Sequence, residues 1–109
     1  MSKHTDWLHT QSCFICGNPH IELAHVRKSD ARAAKVNPGK GAKPSDIWVL
    51  PLCSAHHCEQ HEIGERTFWE SHEIDPVFVC LALWANTGNS DAYEIIRTSW
   101  NKPLTASPT

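Results

Sequence analysis

The chain has 109 residues, 40% of them hydrophobic and 20% charged, and a formal net charge of −2. That length accommodates one domain and excludes two, and a domain so small commonly adds a metal or disulfides to a modest core. The near-balanced charge excludes a uniformly basic nucleic-acid binder, and no apolar run approaches the ~18 residues of a membrane span. Met1 to Thr10 lacks the apolar core of a signal peptide, so a cytoplasmic protein with reduced thiols is expected. Five cysteines, an odd number, beside eight histidines then point to metal rather than disulfides.

In chain order, residues 3–11 read as one or two helical turns with Trp7 and Leu8 turned inward. Cys13-Phe-Ile-Cys16-Gly17 has the form of a zinc knuckle, two thiolates around a turn with glycine supplying backbone freedom after the second. Residues 20–26 alternate well enough to be a strand. From Arg27 to Pro44 no periodicity persists, and Asn37-Pro38-Gly39-Lys40-Gly41 punctuates a long loop of the kind that is often functional. That loop is locally basic. Arg27, Lys28, Arg32, Lys35, Lys40 and Lys43 stand against Asp30 and Asp46, a balance of +4 over residues 27–46 that leaves −6 for the rest. Such a loop on an acidic protein suits phosphate contact, and charge alone fits a solvated connection equally well.

Residues 47–50 read as a short apolar strand closed by Pro51. Ser54 is the expected N-cap of a helix running to about Ile63 and ended by Gly64. Residues 65–72 look like a further short helix that packs Phe68 and Trp69. Asp75 followed by Pro76 opens a helix to about Ala85, apolar nearly all round and therefore expected to be deeply buried. Ser90 is the expected cap of a last helix to about Trp100, with Tyr93, Ile96 and Trp100 on one face. Residues 102–109 read as a disordered tail.

The strongest local signal pairs Cys13-x-x-Cys16 with Cys53-x-x-His56. Zinc takes four such ligands in a tetrahedron, and two pairs at this spacing supply them from two separate turns. Cys58 is a rival to His56, because Cys53-x4-Cys58 also falls within zinc-site spacings; the x-x pair is preferred because it mirrors the first. Cys80, in an apolar helix, reads as a core thiol. His57 and His61 stand four apart on the same predicted helix, so their imidazoles share a face and can hold a divalent cation with positions left open. His25, near the end of the first strand, can point into the same cleft.

Together these residues resemble the HNH, or ββα-metal, nucleases: Cys13-x-x-Cys16, Ala24-His25-Val26, then Val49-Leu-Pro-Leu-Cys53-x-x-His56-His57-x3-His61. The stretch from Lys43 to His61 is similar to phage and prophage members related to the RecA-dependent nuclease Ref, and the likeness covers about residues 12–85. The resemblance implies an α+β fold: a small zinc-bound, treble-clef-like ββα core at about 12–63 with additional C-terminal helices at about 65–100, one nuclease-like domain over 1–101. It implies that Cys13, Cys16, Cys53 and His56 hold a structural zinc, that His57 and His61 hold a catalytic divalent cation, and that His25 is the general base. Imidazole-rich ligation suits Zn2+, Ni2+ or Mn2+, with Mg2+ less comfortable for want of oxygens. The six basic residues of the loop would contact DNA, in a bacterial or phage-infected cell, with a recombination protein such as RecA as a suggested partner.

Two positions depart from the family pattern. Ala24 stands where many members have a metal-binding His or Asp, and the usual central Asn is replaced in the region of Asp46-Ile47-Trp48. Asp46 is a candidate substitute, either as a ligand or as the residue that orients His25. Glu22 is weaker, since an ideal strand turns it away from His25. The alternative reading is a non-catalytic zinc module that binds nucleic acid or a recombination protein, and the two readings differ in whether His25, His57 and His61 converge.

Overall fold

A computed structural model describes residues 3–26 and 46–100. The six basic residues of the predicted loop and the predicted tail lie outside the described residues. The helix α1 (Lys3–Leu8) is followed by strands β1 (Glu22–His25) and β2 (Val49–Leu52). Four helices succeed them: α2 (Ser54–Ile63), α3 (Glu65–Ser71), α4 (Pro76–Ala85) and α5 (Ser90–Trp100). No helix among the described residues is long and apolar enough to cross a membrane.

The core forms where β2 meets the helices. All four residues of β2 are buried, and the strand packs against α1 and α4. β1 and β2 run antiparallel, with Glu22 opposite Leu52, Leu23 opposite Pro51, Ala24 opposite Leu50 and His25 opposite Val49. Pro51 therefore lies inside the strand, where the sequence reading had it closing one. A two-stranded sheet explains why it is tolerated: the Pro51 carbonyl accepts from the Phe14 N–H at 2.9 Å, on the side away from β1. Its missing N–H faces that same outer edge and costs no ladder bond.

The zinc-knuckle segment packs onto this outer edge. Cys13 N–H donates to Asn18 O at 2.8 Å and Gly17 N–H to Cys13 O at 2.9 Å, closing a tight turn. Gly17 sits at φ 81°, in the region where a side chain is strained, which accounts for glycine there. Phe14 in the middle of the turn is fully buried.

The C-terminal helices supply the other wall. Phe68 and Trp69 of α3, Val77, Val79, Cys80 and Leu83 of α4, and Tyr93 of α5 join one apolar cluster with β2 and Leu8. Asp75 caps α4 as expected, its carboxylate accepting from Val77 N–H at 3.1 Å and Phe78 N–H at 3.2 Å, with Pro76 in the first turn. The burial of α4 is one-sided, however: Phe78 is 53% exposed, because one helix cannot be covered on every side by so few neighbours. At α5 the cap is Asn89, whose Oδ1 accepts from Ala92 N–H at 3.0 Å, one residue earlier than the sequence suggested. The Ser90 hydroxyl instead accepts from Gln11 Nε2 at 3.1 Å and Trp7 Nε1 at 3.3 Å, tying the start of the described chain to its last helix.

Candidate metal centres

Helix α2, Ser-Ala-His-His-Cys-Glu-Gln-His-Glu-Ile, has little apolar surface to bury, and Gln60 is its sole buried residue. Such a helix needs an anchor other than an apolar stripe. Its N-terminus carries one. Cys53, with extended backbone angles, is the N-cap, and Ser54 is already helical; the cap makes no side-chain hydrogen bond to the helix because its sulfur is turned to Cys16, 3.8 Å away, and to His56 Nδ1, 3.2 Å away. Cys13 Sγ lies 3.7 Å from the same His56 nitrogen.

The four ligand atoms of Cys13, Cys16, Cys53 and His56 all lie within 4.8 Å of one another. Zinc bonds of ~2.3 Å to sulfur and ~2.0 Å to nitrogen, at tetrahedral angles, require S···S edges of ~3.8 Å and S···N edges of ~3.6 Å. The separations of 3.8 Å and 3.7 Å match these edges, and the 3.2 Å between Cys53 and His56 is shorter than its edge. Three thiols and an imidazole are also the donor set a structural zinc takes, so this cluster could hold a structural metal such as zinc. Burial pushes the Cys13 thiol up from its ordinary value. Burial acts the same way on Cys53, but the His56 backbone N–H and the neighbouring Cys16 and Cys13 outweigh it and the net direction is down. Cys58, the rival ligand, is exposed and lies outside the cluster. Cys80 is buried with its thiol toward Val49 O at 3.7 Å, and burial holds it far above the usual thiol range.

Consecutive residues on a helix point about 100° apart, so His56 and His57 address different neighbours. His56 turns to the cysteines. His57 turns to β1, where its Nδ1 lies 2.7 Å from Glu22 Oε1. One turn on, His61 Nε2 lies 3.2 Å from His57 Nε2. A shallow cleft of about 310 Å³ opens beside this pair, lined by His25, Gln60, His61, Gly64 and Glu65. The helix end at Gly64, at φ 93°, opens one side of it. Gln60 is 4% exposed, and its Nε2 has no hydrogen-bond partner.

Of the three histidines, His25 and His61 line one cleft, and His61 touches His57. Among the described residues, only the Cys13, Cys16, Cys53 and His56 set brings three or more metal-ligating groups together, so His57 and His61 form a two-imidazole pair. Asp46 is not among the residues lining the cleft; its charge acts on His4 of α1. Glu22 reaches His57 and not His25. No local pattern announces that contact, which depends on where β1 lies against α2.

A family described as "Putative HNHc nuclease" matches residues 4–83, well over half of the chain. The uncharacterized protein YdfU of Escherichia coli (strain K12) is 39% identical over 59 residues, 54% of this chain and 15% of YdfU. The chain thus spans a small part of that curated relative's length. No solved structure matches. With its Cys3His cluster, its two strands leading into a histidine-bearing helix, and this match, the chain belongs to the HNH nuclease family.

Proposed function

We propose that the protein is a metal-dependent HNH endonuclease that hydrolyses DNA phosphodiester bonds, of a phage or prophage type linked to recombination. The observation that carries the reading is the single cleft shared by His25 and His61, with His57 beside it and the cysteine cluster at the other face of the same helix. In this reading β1, β2 and α2 are the ββα-metal unit of a treble clef.

His57 and His61 would hold a divalent cation, which when bound would neutralise charge on the scissile phosphate and on the leaving oxygen. His25 accepts a proton from the attacking water as its oxygen forms a bond to phosphorus. The bond from phosphorus to the leaving oxygen breaks, and that oxygen takes a proton from solvent. The loop residues Arg27, Lys28, Arg32, Lys35, Lys40 and Lys43 hold the phosphate backbone. RecA or another recombination protein is a proposed partner, carried by sequence resemblance alone.

The test is a plasmid-nicking assay on chelated protein resupplied with a panel of divalent ions. Cleavage restored by one or more ions supports the reading. One observation favours a second reading, a non-catalytic zinc module that binds DNA: two protein ligands are fewer than a tightly held cation takes. Binding to DNA without cleavage under any ion would select it.

A further inference from the structure

Glu22 lies on β1, outside the residues lining the cleft, and its side chain is 55% exposed. Among the described residues its close side-chain contact is the 2.7 Å approach to His57 Nδ1. An ionised carboxylate only accepts hydrogen bonds, so the proton in this contact belongs to His57 Nδ1. A neutral imidazole protonated there carries its lone pair on Nε2, the atom that faces His61. Two acceptors do not face each other at 3.2 Å, so His61 carries a proton on its own Nε2 and donates it to His57. The two facing nitrogens thus share one proton in a gap whose width matches the roughly 3.0–3.4 Å separating two imidazole nitrogens on one zinc-sized cation.

We propose that Glu22 is a positioning residue that locks His57 in the Nδ1–H tautomer, so that His57 presents a free Nε2 lone pair to a cation before one arrives. The proposal rests on the reading of this pair as the cation site. When a cation enters, His61 loses the proton from Nε2 to solvent and takes one at Nδ1, remaining neutral overall, while His57 needs no change. Without Glu22 nothing fixes which of the two facing nitrogens carries the shared proton, and His57 can hold it on Nε2, the atom a cation needs free. A carboxylate behind a metal-bound histidine also raises its basicity as a ligand.

The experiment uses the full chain with zinc in the cysteine cluster, in buffer of about pH 8 where ordinary imidazoles are neutral. Nitrogen-15 imidazole spectra report the tautomer of His57, and titration with Ni2+ reports the second site, with His57→Ala as the blank. Wild type should show His57 protonated on Nδ1, and Glu22→Ala should move the proton toward Nε2 and weaken Ni2+ binding about 10–100-fold. Glu22→Gln, which keeps an acceptor oxygen, should hold the wild-type tautomer and recover part of the affinity. Retention of the cluster zinc in each variant shows that the fold is intact. A His57 tautomer unchanged in Glu22→Ala, or an unchanged Ni2+ affinity, overturns the proposal. If the tautomer and affinity respond as stated but no variant or wild type cuts DNA, the nuclease reading falls and the role of Glu22 stands.

Discussion

At the scale of single residues, two histidines make opposite use of the imidazole. His25 is exposed at the end of β1, available to a substrate. His25→Ala should lower cleavage by ~100- to 10,000-fold, the usual cost of losing a general base, with DNA binding and the cluster zinc retained. His57→Ala should also inactivate, but excess cation should restore part of the activity, and that difference in rescue separates base from ligand. His4 is the contrary case, 2% exposed beneath Trp84. The Thr87 hydroxyl donates to Trp84 O at 2.9 Å and so accepts from His4 Nδ1 at 2.7 Å, which leaves His4 Nε2 as a buried lone pair without a partner. Adding a proton there would bury a charge. Burial, opposed by the weaker pull of Asp46, lowers the His4 pKa from 6.5 to about 4. Between these values the unfolded chain takes a proton that the folded chain refuses, so stability is complete above 6.5 and falls as the pH drops to about 4. The loss should reach up to about 3 kcal/mol. Urea midpoints measured across this range for wild type and His4→Asn check it: the asparagine variant should show the shallower decline.

Among the elements, α2 and α4 are stabilised by different physics. The Asp75-Pro76 start of α4 is a local matter of one carboxylate and two amides, and Asp75→Ala should cost about 1 kcal/mol in chemical denaturation. α2 has almost no apolar face, and its first turn is held through Cys53 and His56 to sulfurs supplied from the knuckle. Chelation of the cluster metal, or Cys53→Ser, should therefore release α2, because metal binding free energy is folding free energy in a site that joins distant segments. The expected result is a lowered melting transition and lost helical circular dichroism, and a metal-free protein that melts as the loaded one does would contradict it. The same asymmetry governs what could be read locally. Asp75 announced its helix correctly, whereas Ser54 misplaced the start of α2 by one residue, since the true cap, Cys53, is selected by the cluster and not by hydrogen bonding to the helix.

For the molecule as a whole, charge is unevenly distributed along the chain: residues 27–46 hold +4 and the remainder −6. A long acidic body disfavours DNA except where the basic segment meets it. Replacing Arg32, Lys35 and Lys40 together with Ala should weaken DNA binding and flatten its salt dependence, by up to ~0.9 in log–log slope for each phosphate contact removed. Affinity measured at several salt concentrations decides this. An unchanged slope would make the segment a solvated connection.

The four residues of the cluster that could hold a metal were legible in the sequence, because x-x spacing within a turn places two donors side by side whatever the rest of the chain does. So were the shared face of His57 and His61, set by helical periodicity, and the cap of α4. Tertiary structure alone decided how these pieces meet. It placed His56 and not Cys58 beside the knuckle cysteines, since the first turn of α2 faces them and Cys58 is exposed. It placed Pro51 within β2, where among the described residues the outer edge carries no further strand and the missing N–H is harmless. It let the charge of Asp46 act on His4, and it brought Glu22 into contact with His57 across 35 positions of sequence. Contacts of this kind depend on the docking of a strand against a helix, a property of packed surfaces to which no run of neighbouring residues is sensitive.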